Sequence, residues 1–147
     1  MLRPYVSADF NTLWALDQVC FSPEIAYTKY ELEQFLDYPG AFIIVAEENG
    51  VIHGFILTHA HKKIGHIITI DVRDSHRRTG LGSLLLKASE ERLRELGKQG
   101  IVLEVAVDNL SALTFYKRHG FSVVKTIPRY YSNGLDALEM TKPLTPA

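Results

Sequence analysis

The stretch "HIITIDVRDSHRRTGLGSLLLKASEERLRELGKQGIVLEVAV", His66 to Val107, decides the fold. It opens on a β-branched run, His66 to Val72, and closes on another, Ile101 to Val107. Between them Leu81, Leu84, Leu85, Ala88 and Leu96 recur at helical spacing, Leu86 and Leu93 flank that face, and Gly97 supplies a stop. Strand, helix and strand over this length make a βαβ crossover, so the two strands are expected to be parallel. The helix is preceded by "RRTGLG", Arg77 to Gly82. Glycines there let backbone N–H groups at the positive end of a helix close on an anion, above all a pyrophosphate, because a Cβ would hold the phosphate off. The lysine and Ser/Thr of a P-loop are missing, as is the three-glycine dinucleotide spacing. Read from these residues alone, tight helix packing explains the two glycines equally well.

Working outward, "AFIIVAEENGVIHGFILTHA" reads as two strands around an Asn49-Gly50 hairpin turn, and a second turn near Lys63 to Gly65 leads into the His66 strand. Toward the N-terminus, Leu2 to Val6 reads as a strand. Ser7 is placed to cap a helix running to Cys20, with Phe10, Leu13, Trp14 and Asp17 at helical spacing. "FSPEIAYTKYELEQFLDYPG" gives a proline-marked loop, a short helix from about Thr28 and a Pro-Gly stop. Toward the C-terminus, "NLSALTFYKRHG" is a short helix with Asp108 or Asn109 at its cap and Gly120 after it. "FSVVKTI" and "DALEMTK" form a last hairpin around Ser132-Asn133-Gly134. The expected architecture is α/β: a mixed sheet flanked by helices, forming a single domain over residues 1–147.

Composition narrows the function. With 46% hydrophobic and 22% charged residues the chain can bury a core without staples, and a formal net charge of −1 provides no field toward nucleic acid or anionic membrane. Arg73, His76, Arg77 and Arg78 form a local basic cluster without interleaved aromatics, which argues against RNA. One cysteine, Cys20, excludes an internal disulfide and reads as a small core residue. No stretch has the length of a membrane span and "MLRPYVSADF" has no secretory apolar core, so the cytoplasm is the expected compartment. His59 and His61 share a strand face and His66 lies nearby. Without cysteine or clustered carboxylates, these are expected to be surface histidines on a hairpin and no metal is expected.

Glu104 is the odd residue in "IVLEVAV": alternation sets it on one face with Val102 and Ala106. A carboxylate among apolar neighbours is a candidate general base, directly or through water. A strand glutamate paired with a lysine or arginine is the other reading.

The motif Arg77-x-x-Gly80-x-Gly82 resembles the acyl-CoA pyrophosphate loop of the GNAT acetyltransferase superfamily. It has company in the family's order: "IDV" before it, then "LEV", Asn109, Phe115-Tyr116 and Gly120-Phe121. "LEVAVDNLSALTFYKRHGF" followed by "RYYSNGLDALEM" is similar to the RimI-like protein N-acetyltransferases, which acetylate the α-amine of a ribosomal protein. The resemblance covers nearly the whole chain and implies a GNAT-like fold with acetyl-CoA as cofactor. On matching positions, it implies that backbone groups of Ile70, Asp71 and Val72 hold the pantetheine arm and acetyl carbonyl. It implies that amides of Arg77, Arg78, Thr79, Gly80, Leu81, Gly82 and Ser83 hold the pyrophosphate, and that Asn109 contacts the cofactor. Glu104 is implied as general base and Tyr116 as general acid, with Tyr130 and Tyr131 gripping the first residues of a peptide. Tyr27, in a loop that departs from the best-known RimI-like enzymes, is placed to form the opposite wall. The implied partner is a protein N-terminus, a ribosomal protein among the candidates. A free α-amine has pKa near ~8 against ~10.4 for lysine, so deprotonating it at neutral pH is about 3 kcal/mol easier. Two alternatives stay open: a GNAT acting on lysine or a small amine, and an acyl-CoA-binding module without turnover.

Overall fold

The computed structural model describes residues 1–145. Seven strands and four helices follow in order: β1 (Leu2–Pro4), α1 (Phe10–Cys20), α2 (Lys29–Asp37), β2 (Ala41–Glu48), β3 (Val51–His61), β4 (Ile64–Val72), α3 (Leu81–Glu95), β5 (Gly100–Ala106), α4 (Leu110–Arg118), β6 (Ser122–Ile127) and β7 (Ala137–Pro143). They build one mixed sheet in the order β1-β2-β3-β4-β5-β7-β6. The expected βαβ unit is present: β4 and β5 run parallel with α3 between them. Asn49 and Gly50 both take positive φ, the conformation a tight two-residue hairpin needs.

Helices cover both faces. On one, Leu85, Leu86 and Leu93 of α3 and Leu113 of α4 pack on Ile67, Ile101, Leu103 and Val105. On the other, Leu13 and Leu16 of α1 and Leu32 of α2 pack on Val45, Phe55 and Leu57. Gly65 lets β4 approach α3 closely, since a Cβ there would sit 2.4 Å from the Leu93 side chain.

Five local expectations are corrected. The buried stripe of α3 is Leu85, Leu86, Ser89, Glu90 and Leu93, while Leu84 and Leu96 face solvent. Three consecutive leucines fit two adjacent faces, and the alkyl-lined sheet selects the one that also buries Leu93. Ser7 does not cap α1. Asp9 closes the turn instead, accepting the Val6 N–H at 2.9 Å while it pairs with Arg3. β1 ends at Pro4, and the β3–β4 turn falls at Lys62-Lys63, so β4 already begins at Ile64. Cys20 is half-buried with its Sγ 3.5 Å from the Val72 carbonyl, rather than sealed in the core.

Strand β4 carries the feature that makes a site. It pairs with β5 only over Ile64–His66 against Gly100–Val102, and beyond that the two strands part. β5 meanwhile stays paired with β7 along its whole length. A register shift against β3 at Leu57/Thr58 marks a bulge in the same stretch. Its effect is seen in packing: Ile67, Ile70 and Val72 face α3, whereas Ile68 faces α1 and α2.

Candidate active site

The parted edge of β4 leaves main-chain groups looking into the gap. The Arg73 N–H donates to the His53 carbonyl at 2.8 Å, which fixes the pairing phase with β3. Alternation then turns the N–H and C=O of Ile70 and Val72 toward the gap and those of Asp71 toward Phe55. Of the implied trio, Ile70 and Val72 are therefore the two that turn main-chain groups into the gap. Asp71 contributes its side chain, on the α1 side of the sheet.

At the end of that gap stands the mouth of α3. Gly80 is its cap residue at φ 87 with no side-chain cap, so the first-turn N–H groups after it point outward. Left-handed Arg78 (φ 65) and a Thr79 hydroxyl donating to the His76 carbonyl shape the approach. The two glycines have different reasons. Gly80 needs its positive φ. At Gly82 the fold would accept a Cβ, which would come no closer than 3.4 Å to the Phe115 ring, so packing does not demand a glycine there. A glycine at 82 leaves the first-turn N–H groups uncovered by any Cβ. Arg77 donates from Nε to the Val72 carbonyl at 3.2 Å, tying the loop to the gap. Ser83 shares a 2.9 Å hydrogen bond with His119, and the Asn109 side chain caps α4 by accepting the Ala112 N–H at 3.2 Å. Arg73 turns away, donating to the Ile52 carbonyl, and His76 stacks on His53.

Side chains converge on the gap, Tyr116 from α4 and His66 and Glu104 from the α1 side of the sheet. Glu104, 15% exposed, accepts a 2.7 Å hydrogen bond at Oε1 from Nε2 of His66. A carboxylate can only accept, so His66 Nε2 carries the hydrogen. The Tyr130 hydroxyl reaches the same Oε1 at 3.4 Å. Burial, then the charge of Glu104, pushes the Tyr130 phenol up to about 12. Tyr131 packs edge-on against Tyr130 with ring centroids 4.9 Å apart. Burial, and after it the charges of Asp71 and Tyr131, raise the Tyr116 phenol well above its ordinary range, so it stays protonated and able to donate. Tyr27 is gripped at every polar atom. Its N–H donates to Asp17 at 2.8 Å, its carbonyl accepts from Trp14 and Gln18, and its hydroxyl reaches the Ile68 carbonyl. Ser132, in the loop after Tyr131, donates to the Glu24 carbonyl at 2.7 Å, so the β6–β7 and α1–α2 loops meet over the site.

The arrangement thus offers an extended strand edge leading to an uncapped helix mouth, and beside it a carboxylate and a protonated phenol. That is the equipment for proton removal from one reactant and proton donation to another.

A model of the acetyltransferase (GNAT) family matches residues 10–121. The chain belongs to that family. It is 35% identical over 126 residues to an N-alpha-acetyltransferase of Sulfurisphaera tokodaii, a match covering 77% of this chain and 75% of the relative. The ribosomal-protein-S18-alanine N-acetyltransferase of Escherichia coli shares its fold, with a TM-score of 0.89 at 21% identity over 100% of this chain and 95% of the other. The NatC complex bound to Gag peptide and CoA gives a TM-score of 0.82 at 25% identity, covering 99% and 98%. This GNAT protein is an N-acetyltransferase.

The histidines of this GNAT chain are not surface residues on a hairpin as a group. His59 is buried, hydrogen-bonded to the Phe35 carbonyl at 2.8 Å and stacked on Tyr38, while His66 serves Glu104. The signal for His66 was the parallel register: in a βαβ unit, a histidine early in the first strand and a glutamate inside the second fall side by side. The role of Asp17 has no such signal, because a helix position four residues after Leu13 reads as ordinary core spacing.

Proposed function

We propose that this acetyltransferase moves an acetyl group from acetyl-CoA to the free α-amine of a polypeptide. The observation that carries the reading is the His66–Glu104 pair, set where β4 and β5 part and flanked by Tyr27, Tyr130 and Tyr131. The residues fit the cofactor. The gap-facing groups of Ile70 and Val72 match a pantetheine arm, and the amides from Arg77 to Ser83 match a pyrophosphate, with Gly82 open to it and Asn109 nearby. When bound, acetyl-CoA supplies an activated acyl thioester.

Around it the chain's own groups divide the proton work. Both hydrogen bonds to Glu104 end on Oε1, which leaves Oε2 for the acceptor's ammonium proton, directly or through water. His66 holds the carboxylate's orientation. With the thioester bound, the Tyr116 hydroxyl would give its proton to the departing sulfur as the amide forms, and the second proton shed by the acceptor nitrogen would restore that phenol through water. Tyr27 on one side and Tyr130 with Tyr131 on the other close a slot suited to the first residues of a chain. The nature of the relatives favours an N-terminal acceptor over a lysine or small amine, and a ribosomal protein is one candidate. The test is a pair of peptides of identical sequence incubated with acetyl-CoA, one with a free N-terminus and one blocked but bearing a lysine. Mass gain is expected on the first alone. Gain only on the second shifts the acceptor to lysine, and gain on neither leaves a small amine or simple acyl-CoA binding.

A further inference from the structure

A second pair of carboxyl groups lies behind the slot. Asp17 on α1 and Asp71 on β4 are both 0% exposed, and α1 lies against β4 there: Cys20, one turn after Asp17, reaches the carbonyl of Val72, next to Asp71, and each acid shifts the other's titration. Asp17 Oδ2 accepts the Tyr27 N–H, and one oxygen of Asp71 accepts the Thr69 hydroxyl. The other two oxygens, Asp17 Oδ1 and Asp71 Oδ2, meet no N–H or O–H donor among the described residues. Two ionised carboxylates have nothing to donate, and a buried pair of bare negative charges is strongly disfavoured. One proton held by the pair supplies the donor that the two carboxyl groups lack. Burial pushes both acids up, and the neighbouring charge of Asp17 pushes Asp71 further, so the proton belongs to the pair.

The titratable and charged groups around the pair come from every side: Tyr27 from the α1–α2 loop, Glu31 from α2, Cys20 from α1, Tyr116 from α4 and Arg77 from the α3 loop. Arg77 is the cation among them; its guanidinium pairs with Asp74 at 3.6 Å and its charge is the smallest of the influences on Asp71. Trp14, Asp17 and Gln18 lie on one face of α1 and hold the Tyr27 peptide on both sides. Asp17 therefore connects the slot's tyrosine wall to the strand whose backbone lines the gap.

We propose that Asp17 and Asp71 share one proton and are positioning residues for acetyl transfer, locking the Tyr27 wall against strand β4. The positioning half of this proposal rests on Tyr27 being a wall of the acceptor slot; the shared proton does not.

Isosteric variants test it. In Asp71→Asn an amide N–H replaces the shared proton toward Asp17, and its oxygen still takes the Thr69 hydroxyl. In Asp17→Asn the amide donates to Asp71 and its oxygen still takes the Tyr27 N–H. Together the two substitutions set one NH₂ against another. Each single variant is expected to raise the KM for peptide by no more than about threefold, and the double variant by more than about tenfold. KM for acetyl-CoA is expected to move less than KM for peptide throughout. A double variant equal to the product of the singles overturns the shared proton. Parallel changes in both KM values overturn the positioning role.

A second measurement needs neither substrate nor turnover. Above the ordinary carboxylate range, roughly pH 4, the wild-type native state keeps a proton that the unfolded chain has released. Its stability therefore falls as pH rises toward the raised native pKa. Asp71→Asn lacks that proton, so its stability relative to wild type is expected to improve with rising pH between ~5 and the alkaline side. Denaturant melts that run parallel across this range overturn the pair even if the peptide assay has failed for other reasons.

Discussion

The donor half and the acceptor half of this site are built from different material. The donor half is a nearly continuous segment, from Ile70 through Ser83, that acts through main-chain groups at a parted strand edge and a helix mouth. The acceptor half is made of side chains that the fold collects from afar: Tyr27, His66, Glu104, Tyr116 and Tyr130 lie on five separate segments. Backbone chemistry asks little of residue type except where a Cβ would intrude, so it leaves a spacing in the sequence. Side-chain chemistry asks for particular residues at positions that only the topology relates.

The two halves are separable by substitution. The largest effect is expected from Glu104→Gln, which keeps the acceptor for His66 but removes the base. kcat should fall about a hundredfold or more, with calorimetric acetyl-CoA affinity little changed. Loss of cofactor binding in that variant would show that the halves are not independent. Tyr116→Phe removes the proton donor and is expected to lower kcat by roughly ten- to a hundredfold with KM for peptide nearly constant. A mainly raised peptide KM would move Tyr116 from chemistry to binding.

His66→Ala frees Glu104 Oε1 from its 2.7 Å partner, and a loss of about tenfold in kcat/KM for peptide is expected. An effect as large as that of Glu104→Gln would make His66 the base itself. The smallest change belongs to Tyr130→Phe, whose hydroxyl lies 3.4 Å from Glu104, and about two- to threefold is expected. Because the Tyr130 phenol is pushed up to about 12, no alkaline limb below that pH should disappear with it.

What the sequence disclosed follows the same division. Arg77-x-x-Gly80-x-Gly82 between two β-branched runs placed the α3 mouth and the parallel strands, and Asn49-Gly50 placed its hairpin, because those signals are local. The facing of α3 was misread because Leu84, Leu85 and Leu86 run consecutively, and only contact with the sheet decides which two are buried. Ser7 has the residue type of a cap, but Asp9, held by Arg3 from β1, folds back on the Val6 N–H and closes the turn before α1. His66 passed for a surface residue because its partner lies 38 positions away. Asp71 stood in the quoted motif as a backbone donor. The bulge in β4 helps turn its side chain toward α1, and pairing with β3 occupies its main chain. Long-range register is what single-sequence patterns lack, and these residues depend on it.

The account stands most directly on whether the α3 mouth and the β4 edge hold the acyl donor. Titration calorimetry of the wild-type chain and of Gly82→Ala with acetyl-CoA decides this, with thermal melting run alongside. Alanine is the best helix former and its Cβ meets only ordinary contact with Phe115, so the variant should melt no lower than wild type. The prediction is measurable binding by the wild type, weakened about tenfold or more in Gly82→Ala. No heat with the wild type, or equal affinity in both, would contradict it.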